Sequence, residues 1–203
     1  GNPDATSVDL HKKVWDDNFC AVWHLENTRD STSNENHGSI TGSSTNWVSG
    51  QFGQALEIIN KGLIQNIPSS FDNSISSELT IDCWVNWYGD DPNWPYGAYI
   101  FDGRDSGYNG GFKFYILDNG IVRFFTIYQT GLQIIQSNSP ISNNIWTHIA
   151  ILFDYPSQNL RLFINGVEEN SITATHNYYD SALSAAIGNN RWGPIDGQYR
   201  PLN

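Results

Sequence analysis

The sequence has no methionine, position 1 included, and only two cysteines, Cys20 and Cys83, in 203 residues. One pair allows at most a single bridge, so no disulfide framework stands in for a hydrophobic core. Charge is scarce as well: charged residues make up 15% of the chain, and 10 basic side chains face 21 acidic ones, a formal net charge of −11. A chain so short of cations lacks the electrostatic footprint for nucleic acid and is repelled by acidic membrane surfaces. Apolar runs stay well below the roughly 20 residues that span a bilayer, and no basic-then-apolar signal segment opens the chain, so no membrane insertion is expected. With methionine absent too, the expectation is a mature, soluble piece of a longer precursor. A sustained 3.6-residue period is missing throughout; Asp180 to Ala186 is the one stretch expected to make a helical turn.

Aromatic residues make up 14% of the chain, and Asn, Ser, Gly and Thr fill the polar positions, which is the composition of a β-rich extracellular protein. The length suits one large all-β domain. Residues 1–17 are polar and read as a lead-in strap, with the domain proper over 18–203. Alternation predicts a strand over Phe19 to Leu25 with its odd positions inward, which sets Cys20 on the opposite face. A second strand, Leu79 to Trp87, turns Leu79, Ile81, Cys83, Val85 and Trp87 to one side and Thr80, Asp82, Trp84 and Asn86 to the other. Because Cys20 and Cys83 point to different environments in these registers, two separate thiols are expected.

Further strands are predicted over 55–59, 63–67, 99–102, 111–117, 121–128, 132–135, 146–153, 160–164 and 167–173. Asn119-Gly120 and Asn165-Gly166 sit where hairpins must turn, and both are expected to adopt type I′ geometry, which needs positive φ at two successive residues. Many short strands with turn-rich joints give an all-β fold, an antiparallel jelly-roll β-sandwich.

The segment order AVWHLENTRDSTSNENHGSI, GQFGQALEI, SSELTIDCWVNW, NIWTHIAILFD, LRLFINGVEE and AAIGNN resembles the concanavalin A-like, laminin G-like domains of secreted prokaryotic proteins, over about residues 19 to 193. The resemblance implies two curved antiparallel sheets in an extracellular or cell-surface protein that binds glycans, proteins or Ca²⁺. Members follow the IGNN-like strand with one more strand, for which this chain shows no match before Asn203. The resemblance therefore implies a domain short of its last strand, with a slot that residues 1–17 or a strand from a neighbouring protein would fill.

Glycoside hydrolysis needs two positioned carboxyl groups. The six glutamates, Glu26, Glu35, Glu57, Glu78, Glu168 and Glu169, do not show the Glu-x-Asp-x-x-Glu spacing of jelly-roll hydrolases. There is no Gly-x-Ser-x-Gly elbow and no zinc-ligand spacing, and His148, inside an apolar strand, reads as a structural histidine. Trp23, Trp84 and Trp146 read as core or sheet-face residues.

The run from Asp30 to Gly38 crowds hard oxygen donors into a turn. It resembles the family's D-S-S-G-N-G-N-H-G stretch, which implies a structural Ca²⁺ with Asp30 and Asn36 among its ligands. The alternative is an Asx-rich turn closed by its own hydrogen bonds.

The region from Trp87 to Gly110 is long and rich in Pro and Gly, and it gathers aromatic rings beside polar side chains. Sugar rings need a flat apolar face and oriented donors and acceptors. The expected site therefore has Trp94 and Tyr96 as stacking platforms, Asp102 and Arg104 as hydroxyl partners, and Tyr108 and Trp192 as side walls. A concave sheet face carrying Arg123 and Tyr128 is the alternative place. The expected function is a non-catalytic extracellular recognition module for a carbohydrate or cell-surface glycan. Its rivals are an adhesive subunit completed by another chain's strand and, least favoured, a glycoside hydrolase.

Overall fold

The computed structural model of the chain describes residues 14–41, 45–58, 63–68, 77–89, 97–104, 110–128, 131–176 and 184–188. Thirteen strands form in it: β1 (Ser39–Thr41), β2 (Thr45–Ser49), β3 (Gln54–Ile58), β4 (Leu63–Pro68), β5 (Glu78–Asn86), β6 (Ala98–Asp102), β7 (Gly110–Ile116), β8 (Val122–Tyr128), β9 (Gly131–Gln136), β10 (Trp146–Asp154), β11 (Asn159–Ile164), β12 (Val167–Thr173) and β13 (Ser184–Ile187). They build an antiparallel jelly-roll sandwich. One sheet runs β1-β4-β13-β6-β7-β8-β9, the other β12-β11-β10-β5, and β2-β3 is a separate hairpin.

Period-two alternation explains the core. On β10 every second residue is buried, and Ile149, Ile151 and Phe153 meet Leu160 and Leu162 of β11 on one side and Leu79, Ile81 and Cys83 of β5 on the other. The seven-stranded sheet answers with Phe112, Phe114 and Phe124, all fully buried. At about 25 cal/mol per Å² of apolar surface, rings of this size dominate the burial energy. The sheets are also tied by polar groups at one margin: Gln133 of β9 donates to the Thr173 carbonyl, and the Asn170 amide donates to the Gln136 carbonyl at 2.8 Å.

Several expectations are corrected. Residues 19–25 are not a strand. Only an isolated bridge, Trp23 with Asp30, forms there, and Leu25 at φ 58° breaks the extended run. The reason is competition from side chains: Asp30 Oδ1 takes the Val22 N–H, while the Asn34 and Asn36 amides donate to the Cys20 carbonyl, so the backbone finds partners without a ladder. The inward-odd register fails with it, since Cys20, Ala21 and Trp23 all pack against the core while Phe19 is exposed.

The two Asn-Gly turns also differ. Asn165 and Gly166 have φ of 50° and 78°, the expected type I′ hairpin. Between β7 and β8 only Gly120 has positive φ, and its N–H bonds to the Leu117 carbonyl at 2.8 Å. That turn is one residue longer than the expected type, with glycine at its left-handed end. A Cβ there would sit 2.7 Å from the Trp87 ring. Of the expected helical turn, residues 184–186 belong to β13 instead, because pairing with β4 and β6 satisfies their backbone; residues 180–183 lie outside the described set. Strands β1 and β2 were too polar to be read from pattern alone.

Both cysteines are free. Burial, followed by the neighbouring Asp82 carboxylate, pushes the Cys83 thiol up to about 12. We expect a thiol reagent at pH 8 to find two groups in denatured, unreduced protein, with Cys83 unreactive in the native state. Native labelling of Cys83 at the rate of a small-molecule thiol would contradict this packing.

Candidate functional site

Of the residues singled out by sequence, Trp94, Tyr96, Tyr108 and Trp192 lie outside the described residues, as does the side chain of Tyr128. Asp102 and Arg104 lie within them and are brought together. Arg104 Nε donates to Asp102 Oδ1 and Nη2 to Oδ2, both at 2.7 Å, a bidentate pair with 0% and 5% of the two residues exposed. This geometry depends on Gly111. Its φ is +96°, and a Cβ would lie 2.2 Å from the Gly103 carbonyl oxygen and 2.6 Å from Arg104 Cα, so glycine lets the chain leaving β6 cross close over β7. Arg104 then extends over the Phe125 ring at 5.7 Å.

The same outer face of β6, β7 and β8 carries a residue that sequence reasoning missed. Lys113 pairs in register with Asp102 and Phe125, and its ammonium lies 3.8 Å from the Tyr99 ring centre and 3.7 Å from that of Tyr115. Burial pushes its amine down to about 6. Arg104 and Arg123 act in the same direction, and Asp102 opposes them. Arg123, opposite Tyr115, donates through Nε and Nη2 to Gln136 Oε1 at 3.1 and 2.7 Å and through Nη1 to the Tyr115 hydroxyl at 3.4 Å. Alternation along FKFYI puts Lys113 and Tyr115 on one face, but only the fold adds Tyr99 and Arg104.

An amine held near 6 in the fold and at its ordinary 10.5 when unfolded has a definite stability consequence. Between those values the unfolded chain binds the extra proton, so unfolding free energy rises with pH across the window and the penalty is complete below the folded value. We expect urea unfolding to show greater stability at pH 9 than at pH 6, and Lys113→Met to flatten that difference. An identical pH slope in the variant would rule out Lys113 as its source.

The outer face of the four-stranded sheet is open. Trp84 is 39% exposed and lies beside His148 across the β5-β10 pair, ring centres 5.4 Å apart. Phe52, 73% exposed, meets Trp84 edge-on at 5.7 Å. Asp82 Oδ1 is 3.5 Å from His148 Nε2. In the next row Ala150 separates Asp82 from Phe163, and Arg161 lies over the Phe163 ring at 5.6 Å. The small Ala150 side chain thus lies in register between a carboxylate and a ring, with an imidazole and a guanidinium on the neighbouring positions. The expected β5 alternation is observed, and it already placed Trp84 and Asp82 together; His148, read as structural, faces them.

Asp30 and Asn36 are likewise adjacent and buried. Asp30 Oδ1 accepts the Val22 and Thr32 N–H groups at 2.8 and 2.9 Å, and Oδ2 accepts the Thr32 hydroxyl at 2.7 Å and the Asn36 N–H at 2.9 Å. Four donors occupy this carboxylate, and among the described residues no three His, Cys, Asp or Glu side chains converge as metal ligands. The turn is organised by its own side-chain acceptor, and Ca²⁺ there is a proposal in which the ion must share Asp30 with those donors. Millimolar Ca²⁺ added to EDTA-treated protein should raise Tm if an ion binds the native state, and an unchanged Tm removes it. Asp30→Ala, leaving buried N–H groups unpaired, should lower stability by about 2 to 4 kcal/mol with or without the ion.

Residues 64–201 match the model of the Concanavalin A-like lectin/glucanases superfamily. No curated protein matches the chain significantly. Among solved structures, domain 4 of AbnA, a GH43 extracellular arabinanase from Geobacillus stearothermophilus in complex with arabinotriose, is similar at TM-score 0.62 and 21% identity, over 82% of this chain and 80% of that one. The botulinum neurotoxin serotype G binding domain is similar at TM-score 0.50 and 18% identity, over 78% and 40%. Mouse laminin α1 domains LG4-5 give TM-score 0.49 and 13% identity, over 64% and 31%. At such identities the likeness is one of fold. Among the described residues no helix is long and apolar enough to cross a membrane.

Proposed function

Since the chain belongs to the concanavalin A-like lectin/glucanases superfamily, we propose that it is a non-catalytic, extracellular carbohydrate-binding module. The observation that carries this reading is the exposed Trp84 ring on the outer face of the four-stranded sheet, with Phe52, Asp82 and His148 around it. A pyranose or furanose ring presents C–H groups to an indole face, and its hydroxyls need acceptors and donors at the ring's rim, which Asp82 and His148 supply. Strands β5 and β10, paired over nine residues, hold these groups without loop reorganisation. The sequence segment with Trp94, Tyr96 and Tyr108 is the second place for stacking platforms in the same reading.

Two of the six glutamates are held in structural contacts, which supports a binding role over hydrolysis. Glu169 Oε1 accepts the Asn138 and Ser139 N–H groups, and Glu168 lies 3.7 Å from Arg161, so both are engaged structurally. An adhesive role has one specific observation in its favour: among the described residues β5 pairs only with β10, leaving a nine-residue edge.

Glycan-array binding followed by titration tests the reading. Trp84→Ala should weaken binding of the best glycan by about thirtyfold, or ~2 kcal/mol, with Tm nearly unchanged. Loss in Trp94→Ala but not Trp84→Ala would move the site to the segment that carries Trp94. No binding to any glycan, together with a dimeric native mass, would favour the adhesive role.

A further inference from the structure

Around Trp84 the apolar surface has two walls, and they come from different parts of the fold. Trp84 is placed by β5, whereas Phe52 sits in the turn between β2 and β3, a hairpin that belongs to neither large sheet. Glycines shape that turn: Gly53 has φ +63°, the Gly50 N–H donates to the Gly53 carbonyl at 3.0 Å, and a Cβ on Gly50 would lie 2.9 Å from the Gln54 carbonyl oxygen. A second contact ties the hairpin to the chain just past β5, where the Tyr88 hydroxyl hydrogen-bonds to Glu57 of β3. Phe52 at 73% and Trp84 at 39% exposure are thus large apolar groups that touch each other and stay open to water. Such a pair marks a binding surface.

The two rings stand at 80° with centres 5.7 Å apart. Edge-on packing leaves a face of each ring beside the contact, so a ligand placed there meets apolar surface beneath it and apolar surface at its flank. The polar groups come from the strands: Asp82 shares the outer face of β5 with Trp84, and His148 is the cross-strand partner of Trp84 on β10. An ordinary hexopyranose suits the first wall but not the second. Its ring face is made of C–H groups, while its rim carries hydroxyls and a hydroxymethyl group, and a hydroxyl turned toward Phe52 loses water without gaining a partner. A methyl group at the same place gains contact with the ring instead.

We infer that Phe52 is the specificity-determining residue and that the preferred ligands are 6-deoxyhexosides. Their exocyclic methyl group packs on Phe52 while the sugar ring lies on Trp84 and the hydroxyls reach Asp82 and His148. The inference rests on the carbohydrate-binding reading and narrows it to one class of sugar at the same site. Charge agrees with a neutral ligand, because Asp82 stands next to Trp84 in a chain of net charge −11, where an acidic sugar is repelled. Burying one methyl group is worth about fourfold in affinity, and the parent hexose loses more through its unpaired hydroxyl. Phe52 therefore acts on the choice between two sugars, while Trp84 contributes to the binding of both.

The test is calorimetry with matched methyl glycosides: L-fucoside against L-galactoside, D-fucoside against D-galactoside and L-rhamnoside against L-mannoside, each pair differing only in the exocyclic hydroxyl. At least one 6-deoxy member should bind about fivefold or more tighter than its parent. Phe52→Ala should bring that pair to equal affinity, with the parent sugar bound as before and Tm nearly unchanged, whereas Trp84→Ala should weaken both members. Saturation-transfer NMR on the unaltered protein gives a second readout. Irradiation of the aromatic protons should reach the sugar's methyl group most strongly, and a methyl group that receives no saturation contradicts the contact with Phe52. Equal affinity within every pair overturns the inference and leaves the carbohydrate reading standing. A preference that survives Phe52→Ala overturns the assignment to Phe52, and failure of every sugar to bind, array glycans included, overturns the inference together with the reading it rests on.

Discussion

The interdigitation of two apolar faces decides everything else in this molecule. Phe112, Phe114 and Phe124 from the larger sheet meet Ile149, Ile151, Phe153, Leu160 and Leu162 from the smaller one, all at or near zero exposure. Strand geometry has a period of two, so committing these residues inward commits their neighbours outward. Asp82 and Trp84 on β5, His148 and Ala150 on β10, and Lys113 and Tyr115 on β7 owe their outward placement to the inward commitment of Cys83, Ile149 and Phe114 between them. A slip of one residue in β5 or β10 would turn Asp82, Trp84 and His148 into the core and their apolar neighbours outward. The core thus acts as the alignment device for both outer faces.

Those two faces have opposite physics. The face with Trp84 is open, so its Asp82–His148 contact and its rings are solvated, and a ligand gains there chiefly from covered aromatic area and a few directed hydrogen bonds. The face with Lys113 is closed down to a few per cent exposure, where charges interact strongly and an unbalanced cation is costly. Cation–π contacts with Tyr99 and Tyr115, and the Asp102–Arg104 pair, partly offset that cost. The lowered basicity of Lys113 is the visible remainder.

Backbone irregularities arise where side chains or close approaches supply what a ladder otherwise would. Asp30, Asn34 and Asn36 absorb the polar groups of residues 20–22 and leave an apolar segment that packs on the core without being a strand. Gly111 removes a Cβ so that residues 103 and 104 can cross over β7, which is the step that delivers Arg104 to Phe125. Gly120 makes room for Trp87 under the β7-β8 turn, and that packing selects the longer connection in place of the tight one.

The sequence alone determined the class of fold and the two-sided pattern of its long strands. Alternation in LTIDCWVNW and WTHIAILFD depends only on local geometry, and the order of segments carried the family resemblance. Asn165-Gly166 was legible for the same reason, since its φ preferences are intrinsic. What tertiary structure decided was every outcome in which a distant group competes with a local preference. Residues 19–25 alternate like a strand, yet Asx side chains from 30–36 outbid the ladder; residues 184–187 become strand because β4 and β6 offer their edges. The site followed the same division. Trp84 beside Asp82 could be read along β5, whereas His148 and Phe52 joined them only through pairing and loop placement. Lys113 was invisible because nothing local marks it. Its altered chemistry comes first from burial and then from Arg104 and Arg123, with Asp102 opposing them, groups that the fold brings to β7 from the strands on either side of it.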